Sequence, residues 1–139
     1  MNNTAAALRS YFENARSLGV QCVFLFGSHA AGTAHAESDI DVAVLLHPDR
    51  YRAVGIRDEE RVRLSADLIG ALHVNRMDAV ILNDAPPGLA RHIVTTGTRV
   101  FCPDPEAAHA ITRDAMLRAA DIDPFLNRMR RIALEHLRA

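Results

Sequence analysis

The sequence predicts a small α+β (α/β) domain in which a mixed β-sheet is packed with helices. Three observations carry this. Apolar runs at 21–26, 40–46 and 77–82 are short and rich in Val, Ile and Phe, as strands are. The segments around them place their apolar residues three and four apart, as helices do. No internal repeat, low-complexity tract or linker interrupts the pattern, so the 139 residues are expected to form one domain, long enough for a real core.

Taken in order, Thr4 can cap a first helix running to about Leu18, with Leu8, Tyr11, Phe12, Ala15 and Leu18 on its apolar face and Gly19 ending it. Gln21 to Phe26 is a buried strand. Gly27 to Glu37 is a small-residue loop with room for a short helix after Ser28. Ile40 to Leu46 is a second strand, broken by His47-Pro48-Asp49, and a polar loop is expected to about Ile56. Asp58-Glu59-Glu60 begins a helix with acids where the dipole favours them, and Val62, Leu64, Leu68, Ile69 and Leu72 give it an apolar face. Met77 to Leu82 is a third strand, followed by a turn at 83–88 and a short helix from Leu89 to about Thr95 that stops at Gly97. Thr98 to Phe101 reads as a short edge strand. From Pro105 the chain is helical, and Asp123-Pro124 reads as the cap and first-turn proline of a separate final helix to about Leu137. That helix carries an apolar stripe from Ile122 through Phe125, Leu126, Met129 and Ile132 to Ala133, fit either for packing on the sheet or for docking a partner.

Composition excludes several chemistries. All 16 basic residues are Arg, so neither a P-loop lysine nor a Schiff-base lysine exists. The net charge of −1 implies no broad basic surface for duplex nucleic acid. Cys22 and Cys102 lie far apart in sequence at the borders of apolar runs and read as buried thiols of a reducing compartment, not as a disulfide or metal pair. The N-terminus lacks a charged region followed by an apolar block, and no run is long enough to span a membrane, so a soluble cytoplasmic protein is expected.

The chemistry-bearing residues cluster around two strands. Gly27-Ser28 directly follows the first. A glycine there lets backbone approach a ligand closely, and the amides that follow can face an anion; a tight turn with a capping serine is the simpler alternative. Ten residues later Asp39-Ile40-Asp41 opens the second strand. Side chains alternate along a strand, so Asp39 and Asp41 project to one side and Ile40, Val42 and Val44 to the other. Paired carboxylates repel unless a cation lies between them or one is protonated, and such hard oxygen donors suit magnesium. The alternative has Asp39 closing a turn and Asp41 paired with an arginine. Asp78 lies among apolar residues in the third strand, either as an edge acid beside Arg76 or, if that strand neighbours the second, facing the same way as Asp39 and Asp41.

Together, Gly-Ser, ten residues, Asp-x-Asp at the head of an apolar strand and a later strand Asp resemble the nucleotidyltransferases of the DNA-polymerase-β-like superfamily. The short chain and helix-first order resemble its minimal nucleotidyltransferases (MNT proteins). The resemblance spans roughly Phe12 to Phe101, and the C-terminal helices at about 105–139 fit it loosely, in length and character. It implies the polymerase-β-like fold, Gly27 and Ser28 on the triphosphate of ATP, Asp39 and Asp41 on Mg2+ (two ions), and Asp78 as third carboxylate helping to activate the acceptor hydroxyl. It also implies a HEPT-domain toxin as partner, with AMP transferred to a toxin tyrosine, so that the chain acts as the antitoxin of a type VII pair. The loop His29-Ala30-Ala31-Gly32-Thr33-Ala34-His35 lacks the Arg that often follows Gly-Ser in that family. Two other readings are an antitoxin that neutralises by binding alone and a small-molecule nucleotidyltransferase of the aminoglycoside type.

Overall fold

The computed structural model describes residues 3–14, 19–27, 39–53 and 57–138. In chain order these form α1 (Asn3–Asn14), β1 (Val20–Phe26), β2 (Ile40–Leu46), α2 (Pro48–Ala53), α3 (Arg57–Leu72), β3 (Met77–Ile81), a 3-10 turn (Leu82–Asp84), α4 (Pro87–Thr96), β4 (Thr98–Phe101) and α5 (Pro105–Arg138). The strands make one sheet in the order β3-β2-β1-β4. β1 runs antiparallel to both β2 and β4, whereas β2 and β3 are parallel. The sheet is therefore mixed, as the sequence predicts.

Alternation along the strands builds a core on each face. Val23, Leu25, Ile40, Val42, Val44, Leu46, Met77, Ala79 and Ile81 point to one side, where Leu8 and Phe12 of α1 and Leu68 of α3 cover them. Cys22, Phe24, Ala43 and Leu45 point to the other, under Ala90 and Ile93 of α4 and Ala108 and Ala115 of α5. Buried on both faces, β1 and β2 need apolar residues at nearly every position, which is why both read as continuous apolar runs.

Polar side chains finish the sheet where its ladder stops. Asn83 accepts from the Leu46 N–H at 2.9 Å and donates to the Leu46 carbonyl at 3.1 Å, extending the β2–β3 pairing past the end of β3. On the outer edge of β3, Ser65 of α3 accepts from the Ala79 N–H at 3.1 Å. That bond occupies an edge amide otherwise open to another strand.

Several expectations change. The 47–56 segment is not all loop: Pro48 starts α2, because a proline at the first helical position has no amide to satisfy and a preset φ. Pro87 opens α4 in the same way, two residues before the expected start. α1 begins at Asn3, so Thr4 lies within its first turn and does not cap it. Val62 is 68% exposed and lies off the apolar face of α3. Asp123-Pro124 starts no new helix: α5 is continuous over 34 residues with Pro124 inside it. The Asp123 carboxylate is instead held by Arg91 of α4, at 2.6 and 3.3 Å. Cys22 and Cys102 are neighbours, with sulfurs 3.1 Å apart and both thiols free, because the β1–β4 pairing closes the 80-residue separation. The C-terminal end of the first helix and the segment after Gly27 lie outside the described residues.

Candidate active site

The candidate site forms where the C-terminal end of β1 meets the N-terminal ends of β2 and β3. This follows from topology: antiparallel β1 and β2 put Phe26 opposite Asp41, and parallel β2 and β3 put Asp41 opposite Asp78. Asp41 and Asp78 are therefore register partners. Each lies between residues that point into the first core, Ile40 and Val42 around Asp41 and Met77 and Ala79 around Asp78. By alternation both carboxylates face the opposite side. Asp39 comes one residue before β2, at the same end of the sheet.

Gly27 shapes the space beside Asp41. Its φ is +75°, a conformation that side chains rarely adopt, and a Cβ built there would overlap the Asp41 carboxylate oxygen. The glycine is thus needed twice, for the turn out of β1 and for room beside Asp41. Ser28, His29 and His35 lie outside the described residues.

The arginines decide where the other two carboxylates point. Arg61 reaches from α3 around the sheet edge and donates to Asp78 Oδ1 at 3.0 Å. Arg76 lies 3.8 Å from Asp39 Oδ1, on the residue just before β3. Of the alternatives for Asp78, the edge acid beside Arg76 finds a different partner, since Arg76 turns to Asp39 and Arg61 takes Asp78. The side chains of Asp39 and Asp78 are 54% and 50% exposed, so neither is locked by packing. Among the described residues no three His, Cys, Asp or Glu side chains stand close enough together to hold a metal ion. The fold thus brings Asp41 and Asp78 to one face and Asp39 to the same end, but their carboxylates do not converge on one point.

Sequence reasoning missed Arg61. It sits 17 residues from Asp78 on a helix whose apolar face packs on the opposite side of the sheet, and nothing local marks it. Only the edge position of β3 lets it reach the carboxylate.

The sequence model of the polymerase beta nucleotidyltransferase domain matches residues 7–106. The protein adenylyltransferase MntA of Shewanella oneidensis is 35% identical over 82 residues, 59% of this chain and 54% of that protein. The chain thus spans about half the length of that curated relative. Among solved structures, a chain of a toxin–antitoxin with AMP-PNP superposes with a TM-score of 0.69 at 24% identity, over 96% of this chain and 98% of that one. A chain from the complex of a tri-AMPylated Shewanella oneidensis HEPN toxin with an MNT antitoxin gives 0.61 at 22%, over 94% and 99%. At these identities the likeness of the structures is one of fold.

Proposed function

The chain belongs to the polymerase beta nucleotidyltransferase family, and on that premise we propose that it transfers AMP from ATP to a tyrosine hydroxyl of a partner toxin of the HEPT class, acting as that toxin's antitoxin. The observation that carries this reading is the in-register pair Asp41 and Asp78 beside a glycine whose positive φ and close fit to Asp41 disfavour a side chain. A relative named as a protein adenylyltransferase and a structural neighbour in complex with a tri-AMPylated toxin support the choice of reaction and acceptor.

The hydroxyl oxygen attacks the α-phosphorus of ATP. The bond from that phosphorus to the bridging oxygen breaks, and pyrophosphate leaves. Asp78, at the sheet edge and half exposed, would take the hydroxyl proton. Gly27 leaves backbone free to approach the triphosphate, and Ser28, next in sequence, supplies a hydroxyl for phosphate contact.

Asp39, Asp41 and Asp78 would hold Mg2+. The donor set fits, being all carboxylate oxygen, which a hard cation prefers. Releasing Asp39 and Asp78 from their arginines costs little, because exposed ion pairs contribute about 0–1 kcal/mol. When bound, magnesium supplies neutralisation of the triphosphate charge and acidification of the attacking hydroxyl.

A second reading, neutralisation by binding alone, is favoured by the loop from His29 to His35, which carries no Arg for the triphosphate. One experiment separates the two. The chain is co-expressed with the product of its neighbouring reading frame, and the neighbour is weighed by intact mass. A gain of whole AMP units, absent with Asp39→Asn/Asp41→Asn, is the expected result. A tightly bound neighbour of unchanged mass overturns transfer in favour of binding alone.

A further inference from the structure

The second half of α5 leaves the body of the protein. Ala108, Ala115 and Ala119 on its first half are buried. Arg91 holds Asp123 at 2.6 Å, and every side chain from Pro124 to Leu137 beyond it is exposed. These residues extend the helix by roughly 20 Å at about 1.5 Å per residue. A helix of this length has little stability in water without a packing surface.

The extension nevertheless carries a packing surface. The apolar seam that buries Ala108, Ala115 and Ala119 continues at spacings of three and four through Ile122, Leu126 and Met129, with Phe125 and Ile132 widening it on one side. Phe125 is 53% exposed and Met129 48%. The same seam thus serves the core at one end and faces water at the other.

Charge selects among possible occupants. From Pro124 to Arg138 the helix carries Arg128, Arg130, Arg131 and Arg138 against the single acid Glu135. Arg128, three residues after Phe125, and Arg130, four after Leu126, border the seam on its two sides; two copies of this chain crossing on it, parallel or antiparallel about its middle, would bring these arginines together, and such like-charge contact opposes pairing. A helix with an apolar stripe and acidic flanks would meet both the seam and the arginines.

We propose that the projecting half of α5 is the docking surface for an amphipathic, acid-flanked helix of the acceptor protein. This deepens the proposed function and rests on its placing of the acceptor on a partner. Docking on α5 would leave the carboxylate site free for ATP, so that binding and transfer use separate surfaces.

The test uses the full chain co-expressed with the neighbouring reading frame's product, comparing wild type with Leu126→Glu/Met129→Glu and with Arg128→Glu/Arg130→Glu/Arg131→Glu. All five positions are exposed, and the melting temperature of each free variant checks that the body stays folded. Each variant is expected to lower the amount of neighbour co-purified at least about tenfold, as loss of central interface residues does. Added salt should weaken the wild-type complex, since the arginine contacts are screened. Wild-type retention by both variants overturns the docking surface. So does a wild-type homodimer that Leu126→Glu/Met129→Glu dissociates, because the occupant is then a second copy. A neighbour that gains AMP without ever co-purifying overturns the docking surface and leaves transfer standing. A neighbour lost from the variants but unmodified by wild type does the reverse.

Discussion

At Gly27 two requirements coincide in one residue. The positive φ disfavours any side chain, and the Asp41 carboxylate fills the space a Cβ would take. Gly27→Ala should therefore act on stability and on the site together. Strain at such a position costs about 1–3 kcal/mol, read as a lower urea midpoint. Displacing Asp41 should also reduce AMP transfer at least about tenfold in assays run well below the unfolding transition. A variant with normal transfer would show that the room beside Asp41 is not needed. The motif Gly27…Asp39-x-Asp41 is visible in the sequence because strand alternation alone sorts its side chains. Arg61 is not visible, because its position beside Asp78 depends on how a helix on one face wraps around the sheet edge.

Among the elements, β2 and α5 behave most differently. β2 is held at its end by the side chain of Asn83, which pairs with both the N–H and the carbonyl of Leu46. Asn83→Ala leaves both groups without that partner, so a loss of about 1–3 kcal/mol in chemical denaturation is expected. α5 gives the opposite forecast. Pro124 removes one backbone hydrogen bond from a helix that otherwise runs unbroken. Pro124→Ala should raise far-UV helical ellipticity while moving the melting temperature little, because every side chain from Pro124 to Leu137 is exposed. A large loss of stability would instead mean that Asp123-Pro124 starts a separate helix. Read locally, Asp-Pro is a good helix start. The pairing of Asp123 with Arg91, 32 residues away, removes the cap that this reading needs.

In the whole molecule, stability should depend on pH through a thiol that the site does not use. Cys22 is fully buried, and burial pushes its thiol well above the ordinary value of 9.0, with the Cys102 sulfur beside it adding to the effect. Well below pH 9 the thiol is protonated in both folded and unfolded chains and contributes no pH dependence. Above it the unfolded chain loses the proton while the folded chain keeps it, so the native state binds more protons and stability falls as pH rises. One such group gives a slope of at most about 1.4 kcal/mol per pH unit. Urea midpoints at pH 7.5, 9.0 and 10.5 should fall across the last interval, and less so in Cys22→Ala. The Tyr11 hydroxyl, raised by burial and by Asp67, adds the same sign at the upper end. No helix among the described residues is long and apolar enough to cross a membrane.

Residue order alone was enough for the strand positions and for the alternation that sets Asp39 and Asp41 against Ile40, Val42 and Val44. Period-two alternation and local apolar runs are properties of neighbouring residues. The tertiary structure set which strands pair, and hence that Asp41 faces Asp78, that Cys22 touches Cys102, and that Arg61 and Arg76 pair with Asp78 and Asp39. It also decided that the stripe after Asp123 leaves the core instead of covering it. Each of these depends on residues distant in sequence, and their contacts exist only once the sheet order β3-β2-β1-β4 has closed the chain between them.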